Sequence, residues 1–146
     1  MNTYTYRNIN EADYHFIRRM FIEVLSDTDP HIAVGNESSV NDFKGKVEGI
    51  IAELTDYAPI GSAWVQLTSS IPTMFIFVLP QFRNHGIGKQ LLSNLYAMLA
   101  AKGISEISLS VHFQNTVAID LYNKQGWEIT GKDSEYIQMK RKLTDS

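Results

Sequence analysis

Apolar positions recur along this chain with two periods, and the changes of period mark its elements. Thr3 to Asn8 alternates tyrosine with polar residues, the pattern of a strand with one buried face. Asn10 then offers a side-chain oxygen to the free N–H groups of a first helical turn. Phe16/Ile17, Met20/Phe21 and Val24/Leu25 recur every four residues as one helix face, which Asp27-Thr28-Asp29-Pro30 ends. The next stretch admits two readings. Ser38 or Ser39 would cap a short helix bearing Val40, Phe43 and Val47, and residues 43, 47, 50, 51 and 54 keep helical spacing. Gly49 and the turn-like Thr55-Asp56-Tyr57-Ala58-Pro59 point instead to a hairpin, with Gly61 to Thr68 as its second strand. The hairpin is the expectation taken forward.

The second half is clearer. Thr73 to Leu79 is almost continuously apolar, as a strand buried on both faces should be. After Gly86, Ile87, Leu91, Leu95 and Met98 fall at helical spacing until Gly103 stops the helix. Ile104 to Val111 alternates as a strand. Asn115 can cap a further helix that buries Ala118, Leu121 and Tyr122 and ends at Gly126. Trp127 to Thr130 and Tyr136 to Lys140 read as a final hairpin. Strands and helices mix throughout, with no repeat or linker, so residues 1–146 are expected to form one layered domain.

Composition narrows the functions this domain can have. The chain has 146 residues, 44% of them hydrophobic, which suits one ordinary core. Thirteen Lys+Arg against sixteen Asp+Glu leave a net charge of −3, with no basic excess to drive nucleic-acid binding. With no cysteine there is neither a disulfide framework nor a thiolate nucleophile nor a Cys-ligated metal. The longest apolar run, Met74 to Pro80, falls far short of the ~20 residues that span a bilayer. No apolar segment follows a basic start at the N-terminus, so a soluble cytoplasmic protein is the expectation.

The most informative stretch is Pro80-Gln81-Phe82-Arg83-Asn84-His85-Gly86-Ile87-Gly88-Lys89. It joins a buried strand to an amphipathic helix through two glycines one residue apart. Backbone N–H groups in such a loop can converge on an anion at the helix N-terminus, where the macrodipole adds about half a positive charge. The same glycines would also serve a plain strand–helix turn. Neither familiar nucleotide motif fits. A P-loop would need glycine at Arg83 and Ser or Thr at Gln90, and a dinucleotide fingerprint would need glycine at Leu91.

Val78-Leu79-Pro80-Gln81-Phe82-Arg83-Asn84-His85-Gly86-Ile87-Gly88 resembles the acyl-CoA-binding signature of the GNAT N-acetyltransferase superfamily: Val-x-Pro, an aromatic, then Arg/Gln-x-x-Gly-x-Gly/Ala. The stretch from Leu109 to Trp127 resembles that family's second signature, Leu-x-Val-x-x-x-Asn-x-x-Ala-x-x-Leu-Tyr-x-x-x-Gly-aromatic. The resemblance is strong over residues 78–127, and the order of elements fits from residue 3 to 142. It implies an α+β (mixed α/β) fold, with a central, mostly antiparallel twisted sheet, a splayed parallel strand pair and flanking helices. The implied activity is transfer of an acetyl group from acetyl-CoA to a primary amine, without a metal. A non-catalytic acyl-CoA-binding module of the same fold is the alternative.

By the same resemblance, the backbone from Arg83 through Asn84, His85, Gly86 and Ile87 to Gly88, with Lys89 beside it, would receive the pyrophosphate of coenzyme A. Val78 would present backbone groups to the pantetheine in a gap beside the strand ending at Val111. Asn115 matches the cofactor-contacting asparagine, a role compatible with capping its helix. Tyr122 matches the tyrosine near the sulfur; by spacing alone it is a core aromatic. An unperturbed tyrosine (pKa ~10) facing a thiol (~8.5) would transfer its proton uphill by about 2 kcal/mol, so hydrogen bonding to the departing sulfur is the expected role. Many relatives carry a glutamate in the strand before Val78, whereas Thr73-Met74-Phe75-Ile76-Phe77 has no carboxylate. The base is left among ordered water, His112, His31 and Glu53. The acceptor is expected to be an amine-bearing small molecule or peptide. Asp27 and Asp29, in the connection Ser26 to His31, would either attract its charge or only form a turn. An exposed strand edge leaves a homodimer open.

Overall fold

The computed structural model describes residues 3–20, 46–55, 58–67 and 70–143. The first-helix residues beyond Met20, the turn at 27–30, His31 and the helix proposed after Ser38 or Ser39 lie outside the described residues.

The chain opens with β1 (Tyr4–Asn8), a 3-10 turn (Glu11–Asp13) and helix α1, described over residues 14–20. Asn10 caps this start: its side chain accepts from the Ala12 N–H (2.9 Å), and Asp13 accepts in return from the Asn10 N–H (2.8 Å). This reciprocal box satisfies donors that a bare helix start leaves open. Next come β2 (Val47–Leu54), β3 (Pro59–Gln66), β4 (Thr73–Val78) and a 3-10 turn (Pro80–Phe82). They are followed by α2 (Ile87–Ala101), β5 (Glu106–His112), α3 (Thr116–Lys124), β6 (Glu128–Lys132) and β7 (Tyr136–Lys142).

The seven strands form one sheet in the order β1-β2-β3-β4-β5-β7-β6, antiparallel except for the β4/β5 pair. The expected α+β arrangement is therefore present. The ambiguous stretch is strand, and Gly49 shows why. Gly49 lies opposite Trp64, and a Cβ there would come within 2.3 Å of the Ala63 carbonyl oxygen and 2.6 Å of the Trp64 Cα. The glycine marks close backbone approach inside a strand, so helical spacing around it carried no helix.

Two apolar clusters cover the sheet. On one side Ile17 and Met20 of α1 pack with Val47, Ile51, Trp64 and Phe77. On the other, Ile87, Leu91, Leu92, Leu95 and Leu99 of α2 join Tyr122 of α3 against residues of β2 to β5 and β7. Leu99 is fully buried and Met98 only partly, so the α2 stripe is rotated slightly from the expected one. On α3 only Tyr122 is buried outright, while Ala118 and Leu121 are half-buried.

The functional geometry comes from β4 and β5. Their one register pair is Thr73 with Ser108, where the Ser108 N–H also meets the Pro72 carbonyl at 2.9 Å. Beyond it both strands continue without pairing, to Val78 and His112. Because they are parallel, their C-terminal ends lie at the same edge of the sheet. The N-termini of α2 and α3 follow directly.

Candidate active site

The strand–helix loop after β4 is built to leave donors open. Asn84 (φ 68°) and Gly86 (φ 80°) both adopt the left-handed conformation, curling the chain into α2. The backbone N–H groups of residues 84–89 meet no acceptor among the described residues, and the first α2 bond recorded there runs from the Gln90 N–H to the Gly86 carbonyl. Gly86 lends no side-chain cap, and the first turn of α2 holds no acidic residue. The same chain closes its earlier helix start with a reciprocal box, so this bare start is a feature of the loop. Successive open amides at the positive end of a fifteen-residue helix are chemically suited to cradle an anion.

The glycines fit that reading. At Gly86 a Cβ would meet nothing within 4 Å, so only the positive φ demands glycine there. At Gly88, already helical, a Cβ would meet only Ile76 Cδ1 at 4.0 Å, an ordinary contact. Glycine inside a helix costs about 0.5–1 kcal/mol relative to alanine, and no neighbour among the described residues requires it here.

The expected loop residues divide by burial. Arg83, Asn84, His85 and Lys89 are exposed. The Ile87 side chain is 2% exposed and packs in the core, so only its backbone faces the cradle. Arg83 turns back, its Nε–H donating to the Val78 carbonyl at 3.0 Å. Sequence spacing gave no sign of that bond, because it depends on the 3-10 turn at Pro80–Phe82 folding the loop back onto the strand end.

Val78 closes β4 with its backbone toward the gap. The Leu79 N–H bonds the Ile60 carbonyl on β3 (2.9 Å), and the Pro72 carbonyl bonds β5. Strand alternation then points the N–H and C=O of Ile76 and Val78 toward β5, where pairing has stopped. Across the gap, Asn115 caps α3 by accepting from the Ala118 N–H at 3.3 Å, which leaves its amide NH₂ available to a ligand.

Tyr122 lies about two turns into α3, 7% exposed, with its ring 5.6 Å from the Trp127 ring. Burial, with a smaller contribution from Tyr96, pushes its hydroxyl well above the ordinary tyrosine value. The hydroxyl meets no hydrogen-bond partner among the described residues. It is therefore a protonated donor with its bond to spare.

Two expected bases are already committed. Glu53 accepts from the Arg7 guanidinium, which also grips Asp13 through two bonds of 2.7 Å. His112 accepts the Gln114 N–H at Nδ1 (3.2 Å), which assigns its proton to Nε2 and leaves no lone pair for an amine proton. Its ring stacks on Phe113 at 4.9 Å and meets Tyr136 edge-on at 5.5 Å. No group of three His, Asp or Glu among the described residues could hold a metal ion. No helix of the described residues is long and apolar enough to cross a membrane.

This arrangement of strands and helices is shared with solved proteins. The structure matches the PaiA N-acetyltransferase of Thermoplasma acidophilum, solved in complex with coenzyme A, with a TM-score of 0.77 at 20% identity over 96% of this chain and 99% of that one. In sequence the chain is 31% identical over 109 residues to the aminoglycoside N(6')-acetyltransferase type 1 of Salmonella typhimurium, covering 70% of this chain and 74% of the relative. It is 29% identical over 103 residues to the peptidyl-lysine N-acetyltransferase YjaB of the same organism, covering 63% and 66%. Residues 16–127 match the Acetyltransferase (GNAT) family, and the chain belongs to it.

Proposed function

We propose that this protein transfers an acetyl group from acetyl-CoA to a primary amine borne by a small molecule or a peptide. The observation that carries the reading is the run of unpaired amides at residues 84–89, set at the open end of the β4/β5 splay. A pyrophosphate supplies the several acceptor oxygens that such a run requires, and Arg83 and Lys89 add charge. The splay is an extended slot that suits the pantetheine arm.

Acetyl-CoA brings the acyl thioester: the acceptor nitrogen forms the new C–N bond, the C–S bond breaks, and a proton leaves nitrogen as the sulfur gains one. The chain's own part is donors and placement. The Val78 N–H, directed into the gap by the strand, is a rigid donor for the negative charge that develops on the acyl oxygen. Tyr122 donates a hydrogen bond to the departing sulfur. Its raised pKa makes outright proton transfer costlier than the ~2 kcal/mol of an unperturbed pair, so hydrogen bonding is its part. With Glu53 bonded to Arg7 and the His112 Nδ1 to the Gln114 N–H, ordered water and His31 are the acceptors left for the amine proton.

The acceptor reading draws on the relatives, whose names specify an aminoglycoside and a peptidyl lysine. Calorimetric titration with acetyl-CoA beside ATP tests the cofactor. Thiol release with aminoglycoside and lysyl-peptide acceptors then tests transfer, free of background because the protein has no cysteine. Binding without turnover on any amine would leave an acyl-CoA-binding module; no binding would overturn the reading altogether.

A further inference from the structure

The element that carries Tyr122 is held by a closed ring of polar contacts, two of whose members, Tyr96 and Arg141, lie outside both signatures. The Trp127 indole N–H donates to the Tyr96 hydroxyl (2.9 Å), and that hydroxyl donates to Gln125 Oε1 (2.8 Å). The Arg141 Nε–H donates to the Gln125 backbone carbonyl (2.8 Å), while its guanidinium sits 4.1 Å over the Tyr96 ring. The circuit joins α2, the end of α3, the start of β6 and β7. It meets Tyr122 twice. The Tyr122 carbonyl accepts from the Gln125 N–H (3.0 Å) and the Trp127 N–H (3.1 Å), and the Tyr122 ring packs on the Trp127 indole.

The Tyr122 hydroxyl has no hydrogen-bond partner of its own among the described residues. The Tyr122 ring lies against the Trp127 indole, tilted by 54° with centroids 5.6 Å apart, and the indole N–H is anchored on the Tyr96 hydroxyl. A phenylalanine at position 96 would keep the α2 packing and the cation–π contact but cut both bonds of the anchor. We propose that Tyr96 is a positioning residue for the transfer reaction, holding the Trp127 indole so that the Tyr122 hydroxyl meets the departing sulfur. This rests on the acetyltransferase reading above and on Tyr122's part in it.

The test is a double-mutant cycle on turnover, with acetyl-CoA and whichever amine of the aminoglycoside and lysyl-peptide panel is accepted. Tyr96→Phe is expected to lower kcat about tenfold while leaving KM for acetyl-CoA within twofold, since a small misplacement of a reacting group costs rate more than binding. In a Tyr122→Phe background the same change should cost less than twofold, because the hydroxyl it aims is gone. Gln125→Leu should mimic Tyr96→Phe, and Gln125→Glu, which restores an acceptor, should recover most of the loss. Equal losses from Tyr96→Phe in both backgrounds would show general packing and overturn the positioning role, as would no loss at all. If Tyr122→Phe alone leaves kcat unchanged, the assignment of Tyr122 fails first and the positioning role falls with it. Independently of any amine, protein carrying tyrosine labelled with carbon-13 at Cζ reports the Tyr122 signal, identified by its loss in Tyr122→Phe. Tyr96→Phe should shift that signal and reduce its response to acetyl-CoA; an unaltered signal and response would overturn the proposal.

Discussion

Replacing Gly86 with glutamate tests the amide cradle most directly. Two costs follow, and they fall on different observables. Gly86 has φ 80°, and an L-residue in that region pays roughly 1–2 kcal/mol. No atom lies within 4 Å of a Cβ there, so packing adds nothing and the variant should fold with a modestly lower Tm. The second cost falls on binding. A carboxylate about 4 Å from each of two phosphate charges meets roughly 1 kcal/mol of repulsion per charge in water, and more at the protein surface. The sum of about 2 kcal/mol or more corresponds to at least a thirtyfold loss of acetyl-CoA affinity. Gly86→Gln shares the backbone cost and the bulk but not the charge, so the Glu-to-Gln difference isolates the repulsion and should shrink as salt is raised. Calorimetry with acetyl-CoA, beside thermal melts of the three proteins, measures both costs. A folded Gly86→Glu protein that binds acetyl-CoA with wild-type affinity would refute the cradle.

Three further outcomes follow from contacts already described. Tyr122→Phe should lower kcat by about ten- to a hundredfold with little change in acetyl-CoA affinity, a split read from steady-state kinetics and calorimetry. Acid stability should rest on Asp13. Burial alone would raise its carboxyl, but the Arg7 bonds, the Asn10 N–H and the Arg7 charge together hold it below the ordinary value. Its contribution is therefore present above about pH 4 and lost as pH falls through the lowered folded value, and Asp13→Asn should flatten that limb in denaturant titrations. Gly49→Ala should cost about 3 kcal/mol or prevent folding, since its Cβ would overlap the Ala63 carbonyl oxygen, and a chemical denaturation curve measures it.

What the sequence determined by itself was local. The continuous apolar run of β4, the glycines that end α2 and α3 and the two cap asparagines each follow from short-range rules, and each stands where it was expected; the α2 stripe does so but for the exchange of Met98 for Leu99. The loop of open amides was legible for the same reason: it lies within a few residues of chain. Tertiary structure decided whatever depends on residues far apart. Gly49 is strand rather than helix because β3 passes within contact of it. Arg83 folds onto Val78, Glu53 is spent on Arg7, and the His112 Nδ1 is occupied by its own loop; no pattern of spacing carries such pairings. The mounting of Tyr122 is the fullest case. Tyr96 comes from α2, Arg141 from β7, and Gln125 and Trp127 from the connection between α3 and β6, and their hydrogen bonds exist only once α2, α3 and β7 have packed together. Periodicity records which face of an element is buried, but a hydrogen bond needs two specific atoms within about 3 Å, and only the assembled fold sets that distance.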